Sequence, residues 1–192
     1  MKRDKKRFDD NMNWKGHAGL SLLIASLLML PFGFNVVTLA FIIIMVLFSS
    51  LPDTDLITPL EHRDLTHNVG FGVIFAAIMG SIFGYIFGIF VSGPVGGLVA
   101  IVIFLAITGG VLSHLLGDII AGLRYDSTPW KIKPIRPFSR KSVGYGIFMA
   151  TDDKVNLIFL KVGFLSFLFY VIFGIFVFYS GIYDVWDFIP SI

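Results

Sequence analysis

Four histidines and a handful of aspartates carry most of the chemistry available to this chain: His17, His62, His67 and His114 beside three short acidic motifs. Leu51-Pro-Asp-Thr-Asp55 comes first, Glu61-His-Arg-Asp-Leu-Thr-His67 follows, and Ser113-His-Leu-Leu-Gly-Asp118 comes later. Pro52 ends a helix, and the expectation is an extended loop in which Asp53 and Asp55 point at one site. His62 and His67 are five apart and share no helix face, but a loop leading into a helix can bring them together. Thr66 reads as the N-cap of that helix. His114 and Asp118 stand at i and i+4, one turn apart on one face.

Taken singly, an aspartate at a helix end is usually a cap and a histidine usually packs. Seven such groups converging would be different. Imidazole and carboxylate together suit Zn, Mn or Fe better than Mg or Ca. A tetrahedral catalytic zinc takes three protein ligands and keeps one position open. The candidate metal ligands are His17, His62, His67, His114 and Asp118, with His62, His67, His114 and Asp118 foremost. The surplus implies either two ions, or one ion with outer carboxylates that orient the imidazoles. Asp53, Asp55 and Arg63 are the candidate catalytic groups: a carboxylate as general base, and the guanidinium to stabilise developing negative charge. Arg63 could equally pair with Asp64 or a lipid headgroup.

Other chemistries lack residues. The chain has no cysteine, which removes thiolate sites and disulfides. There is no G-x-S-x-G elbow, no P-loop, no G-x-G-x-x-G and no H-E-x-x-H.

The elements that must position these residues are apolar. Of 192 residues, 56% are hydrophobic and 15% charged, with 21 Phe. The mean hydropathy is +0.84. A soluble domain carries roughly 25% charged residues, and one small globule cannot hide this much apolar surface. The composition excludes a soluble globule, a disordered chain and, at net charge +2, a nucleic-acid binder driven by charge. It predicts an all-α polytopic membrane protein in a single membrane domain, residues 1–192, with about five hydrophobic segments.

Leu20 to Leu30 and Val36 to Phe48 are apolar, separated by Pro31, Gly33 and Asn35. Together they are too long for one span and short for two, since a span takes ~20 residues. The turn residues predict a short helical hairpin. Val69 to Val91, Pro94 to Ile120 and Leu157 to Tyr179 are clean spans. Gly80, Gly84 and Gly88 form a small-residue stripe suited to helix packing within the chain, or to dimerisation.

With a hairpin first, the tail at 1–15, the 49–68 loop and the 121–156 loop share one side. The tail holds six Lys/Arg and does not have the form of a cleavable signal peptide. Arg63 is in the second segment; Arg124, Lys131, Lys133, Arg136, Arg140, Lys141 and Lys154 are in the third. The 31–35 turn, Ser92-Gly93 and the 180–192 tail hold none. By the positive-inside rule the basic side is cytoplasmic, placing the N-terminus inside and the C-terminus outside, with Tyr183 and Trp186 in an outer aromatic belt. All four histidines then fall at the cytoplasmic face. The basic 121–156 loop lies against anionic headgroups, or covers the site as a lid.

The pattern Pro52-Asp-Thr-Asp55, His62-Arg-Asp-Leu-Thr-His67-Asn68 and His114-Leu-Leu-Gly-Asp118 resembles the membrane-bound metal-dependent hydrolase family, also described as LexA-binding, inner-membrane-associated hydrolases. His17 matches that family's early histidine, within His17-Ala-Gly19. Asn68 stands where the family usually has Ser. The resemblance covers residues 17 to about 140. It implies a metal-dependent hydrolase of a prokaryotic inner membrane, acting on an ester or phosphoester at the cytoplasmic face. Membrane lipids are the expected partners, with an anionic lipid or phosphoester as substrate and no nucleic acid. Two alternatives remain open at the level of sequence. One is a non-catalytic scaffold or regulatory protein whose His/Asp cluster is structural. The other is a transporter, for which Thr108-Gly109-Gly110 could mark a broken helix.

Overall fold

The computed structural model describes residues 12–56, 66–121, 131–135, 139 and 141–179. Five α-helices run in chain order: α1 Trp14–Met29, α2 Val36–Phe48, α3 Val69–Phe90, α4 Gly93–Ala121 and α5 Asp153–Tyr179. Each is long and apolar enough to cross a membrane once short 3₁₀ turns extend α1 to Phe32 and α2 to Thr54. Both arms of the first hairpin then reach 19 residues, inside the range of about 17–25 that a span needs. The arms are longer than their apolar runs because the added residues of α1, among them Gly16 and His17, face the interior. Their polarity therefore costs no lipid contact.

The hairpin turn is closed by local chemistry. Asn35 caps α2, its side chain accepting from the Val37 and Thr38 amides, while Thr38 Oγ1 accepts from the Asn35 amide. Gly33 sits at φ 69° and ψ 177°, a region that essentially only glycine occupies. Tyr170 of α5 donates to the Gly33 carbonyl and hydrogen-bonds Thr38, tying the turn to the last helix.

Many small and polar residues are buried beside a few large ones such as Ile42, Met45, Ile107 and Tyr170, and many large apolar residues face out. Ala25, Ala76, Ala106, Ser21, Ser26 and Thr38 are buried, whereas Val36, Leu47, Tyr85, Phe90 and Phe176 are exposed. A lipid solvent permits this inversion, since helices there associate through close packing and internal polar bonds. The small-residue stripe packs α3 on α4 within the chain. A Cβ at Gly80 would meet the Ala100 carbonyl oxygen, and one at Gly84 the Gly96 carbonyl and Ala100 Cβ. Likewise α1 and α5 meet through Gly19 and Gly163.

Three local expectations are corrected. The cap of α3 is Asn68, whose Oδ1 accepts from the Phe71 amide, so the helix starts two residues later than a Thr66 cap would place it. Pro52–Leu56 is a 3₁₀ turn, not an extended loop. The Asp53 amide donates to Ser50 and the Thr54 amide to Leu51, so Pro52 continues the helical path in a tighter turn. A spacing of two aligns side chains on extended backbone but not on a helix of three residues per turn. Finally, α4 runs unbroken through Thr108-Gly109-Gly110. There Gly109 and Gly110 admit Met45 and the end of α2 against the helix.

Candidate metal centre

At one end of the bundle the start of α1, the end of α2, the approach to α3 and the last turns of α4 converge. The first α1 turn is fixed by Asn13, whose Oδ1 accepts from the Lys15 and Gly16 amides. That turn carries His17 inward. Gly110 lets the α2 end lie on α4, since a Cβ there would come 2.6 Å from the Met45 carbonyl and 3.1 Å from the Ser49 nitrogen. One turn further along α4, His114 Nδ1 donates to the Ser49 carbonyl at 2.7 Å.

That bond fixes the chemistry of His114. A carbonyl can only accept, so Nδ1 carries a proton, and the neutral tautomer with that proton presents its lone pair at Nε2. Metal-binding histidines are commonly oriented this way. His114 Nε2 lies 3.3 Å from His67 Nε2 and 3.4 Å from Asp118 Oδ2, and His67 Nε2 lies 3.4 Å from the same oxygen. The three atoms make a nearly equilateral triangle. A tetrahedral ion with bonds of 2.0–2.1 Å has edges of about 3.3–3.4 Å between its ligands. Asp53 Oδ1 stands next to two corners, 3.5 Å from His67 Nε2 and 3.7 Å from His114 Nε2. His67 Nδ1 in turn contacts Thr66 Oγ1 at 3.2 Å.

His17 stacks on His114 with centroids 3.7 Å apart and planes 14° from parallel. Its Nε2 lies 3.6 Å from Asp118 Oδ1. Neither ring nitrogen has a hydrogen-bond partner among the described residues, although both are buried. Gly117 seats the ring: a Cβ there would lie 3.1 Å from His17 Nδ1. His17, His67 and His114 are fully buried and Asp118 nearly so, while the Asp53 side chain keeps about 20% of its exposure. Two overlapping groups could therefore hold a metal ion: His17 with Asp53 and His114, and His67 with His114 and Asp118. Buried imidazole nitrogens and carboxylate oxygens gathered this closely are a donor set that a cation would stabilise, so the residues present fit a metal ion.

The structure thus brings together His17, Asp53, His67, His114 and Asp118. The Asp55 side chain, His62 and Arg63 lie outside the described residues. Sequence reasoning missed the Ser49 carbonyl, which no side chain advertises, and Gly117, whose role is to be small. It used Thr66 as a cap when its hydroxyl contacts His67. The described part of the basic loop flanks the site. Ile132 and Val143 exchange backbone hydrogen bonds, and buried Ile132 packs with Val111 and Leu115. The Pro134 carbonyl accepts from the Val69 amide, and the Tyr145 and Ile147 amides cap the Ile119 and Ile120 carbonyls. The loop backbone thereby satisfies helix-end groups on two sides of the cluster.

Five apolar helices around a buried His/Asp cluster at one end define a polytopic helical membrane protein with a polar site beside one bilayer surface. A family model described as YdjM inner membrane protein matches residues 12–186, and the chain belongs to that family. No curated protein and no solved structure gives a significant match.

Proposed function

We propose that this protein is a membrane-embedded, metal-dependent hydrolase acting on an ester or phosphoester at the cytoplasmic membrane face. The observation that carries the reading is the triangle of His67 Nε2, His114 Nε2 and Asp118 Oδ2, with sides of 3.3–3.4 Å and a Ser49 carbonyl behind His114. The resemblance of the same motifs to membrane-bound metal-dependent hydrolases points the same way. Zn, Mn or Fe fits the mixed nitrogen and oxygen donors. A divalent ion held there supplies Lewis acidity and a nucleophilic water near neutral pH.

The chain's own residues divide the remaining work. Asp118 and the two imidazoles fix the position and supply a dry wall, as expected of ionisable groups that face a bundle interior. Asp53, partly exposed and beside two corners of the triangle, takes the proton from the attacking water at a carboxylate oxygen. His62 as a further ligand and Asp55 as a further carboxylate stay proposals from the sequence, as does Arg63, which is assigned to the negative charge that develops on the substrate. The cation distribution along the chain sets the orientation, N-terminus inside and C-terminus outside. It also suits an anionic lipid or phosphoester as substrate.

The test is a panel of carboxylic and phosphoric esters presented to the protein in lipid nanodiscs, metal-loaded and chelator-treated. The reading expects metal-dependent turnover of at least one ester, lost in the chelated protein and abolished in Asp53→Asn. Equal background rates in the loaded protein, the chelated protein and the variant would overturn it.

A further inference from the structure

We propose that the cluster holds a second divalent cation, on the side of Asp118 that faces His17. This rests on the metal reading above and adds a distinct position to it. The two oxygens of Asp118 face different imidazoles. Oδ2 is 3.4 Å from both His67 Nε2 and His114 Nε2, while Oδ1 is 3.6 Å from His17 Nε2. A carboxylate that presents one oxygen to each of two nitrogen sets has the arrangement of a bridge between two ions.

His17 belongs to a candidate group of its own, with Asp53 and His114, that overlaps the group of His67, His114 and Asp118. Its ring lies face to face with His114 at 3.7 Å. His17 also has no other evident occupation. It is fully buried, and both ring nitrogens lack a hydrogen-bond partner among the described residues. A buried imidazole in that condition is costly unless something binds it. Asp53 belongs with both positions: its Oδ1 is near the first triangle, and the residue also forms a possible metal-holding group with His17 and His114. Gly117 leaves room for the His17 ring beside α4, because a Cβ there would press on His17 Nδ1 from 3.1 Å. In two-metal sites the ions sit about 3.5–4 Å apart, the spacing at which one carboxylate spans both.

The experiment uses the full chain in detergent, saturated with Mn2+ and freed of excess. Metal per chain is counted by elemental analysis, and the EPR spectrum is recorded for wild type and His17→Asn. The proposal expects two Mn2+ per chain and an exchange-coupled spectrum in wild type. The variant should hold one Mn2+ and show the hyperfine-split signal of an isolated ion. One Mn2+ per chain in wild type, with an isolated-ion spectrum, overturns the second position and leaves the first intact. No Mn2+ in wild type overturns both. If His17→Asn fails to fold, the wild-type count and coupling decide alone.

Discussion

The proton on His114 Nδ1 is the smallest feature on which the site depends. Once Nδ1–H donates to the Ser49 carbonyl in a 2.7 Å bond, Nε2 of the neutral ring offers its lone pair to whatever lies beyond it. His67 is placed less rigidly, through a side-chain hydroxyl at 3.2 Å. Thr66→Val keeps the shape and removes the oxygen. It should weaken metal affinity by about 10–100-fold, the usual cost of losing an outer partner of a ligating histidine. Competition with a chelator of known affinity measures this. The pairing of His114 with Asp118 was legible in the sequence because i,i+4 on a helix is a rigid rule. The backbone partner of His114 was not, since a carbonyl belongs to every residue. Nor could sequence show that His17 stacks on His114, because that depends on how α1 and α4 cross.

The helices fix where these side chains stand, and glycines fix how close the helices come. A Cβ on Gly84 would lie 2.6 Å from Ala100 Cβ and 2.8 Å from the Gly96 carbonyl, both on α4. Gly84→Ala must therefore push α3 from α4, costing about 1–3 kcal/mol as overpacking does. Gly33→Ala should cost a similar amount, about 1–3 kcal/mol, for a different reason. Nothing lies within 4 Å of its Cβ position, but φ there is +69°. Unfolding in mixed micelles checks both, and a neutral Gly33→Ala would mean that the hairpin turn is not held as described. The five segments and the hairpin were readable from apolar length and from Pro31, Gly33 and Asn35. The boundaries were not. Pro52 does not stop the helical path, because a 3₁₀ turn accommodates it. Asn68 outcompetes Thr66 as the cap, its Oδ1 accepting from the Phe71 amide at 2.8 Å.

Across the whole molecule, lipid as solvent reverses the usual sorting. Small and polar residues are buried beside Ile42, Met45 and Tyr170, while Val36, Phe90 and Phe176 face out. That reversal keeps a His/Asp cluster dry without a large soluble domain around it. Composition announced the lipid environment, but only the fold shows that five of the singled-out residues from separate segments share one end of the bundle. The proposed orientation follows from charge alone and is directly testable, because the chain has no cysteine. Single cysteines replacing Ser92, in the α3–α4 turn, and Lys141, in the basic loop, should label from opposite sides with an impermeant maleimide. Ser92→Cys should react in intact cells, and Lys141→Cys only in inverted vesicles. The reverse pattern would place the cluster at the outer face.

The measurement that bears most directly on the account is the metal content of the detergent-purified protein, beside a His67→Ala, His114→Ala double variant. Both must be folded by size-exclusion profile and helical circular dichroism. The account predicts stoichiometric Zn, Mn or Fe in the wild type and none in the variant. A wild type that carries no metal and takes up none when supplied would contradict it. The cluster would then be a polar network that holds the helix ends together.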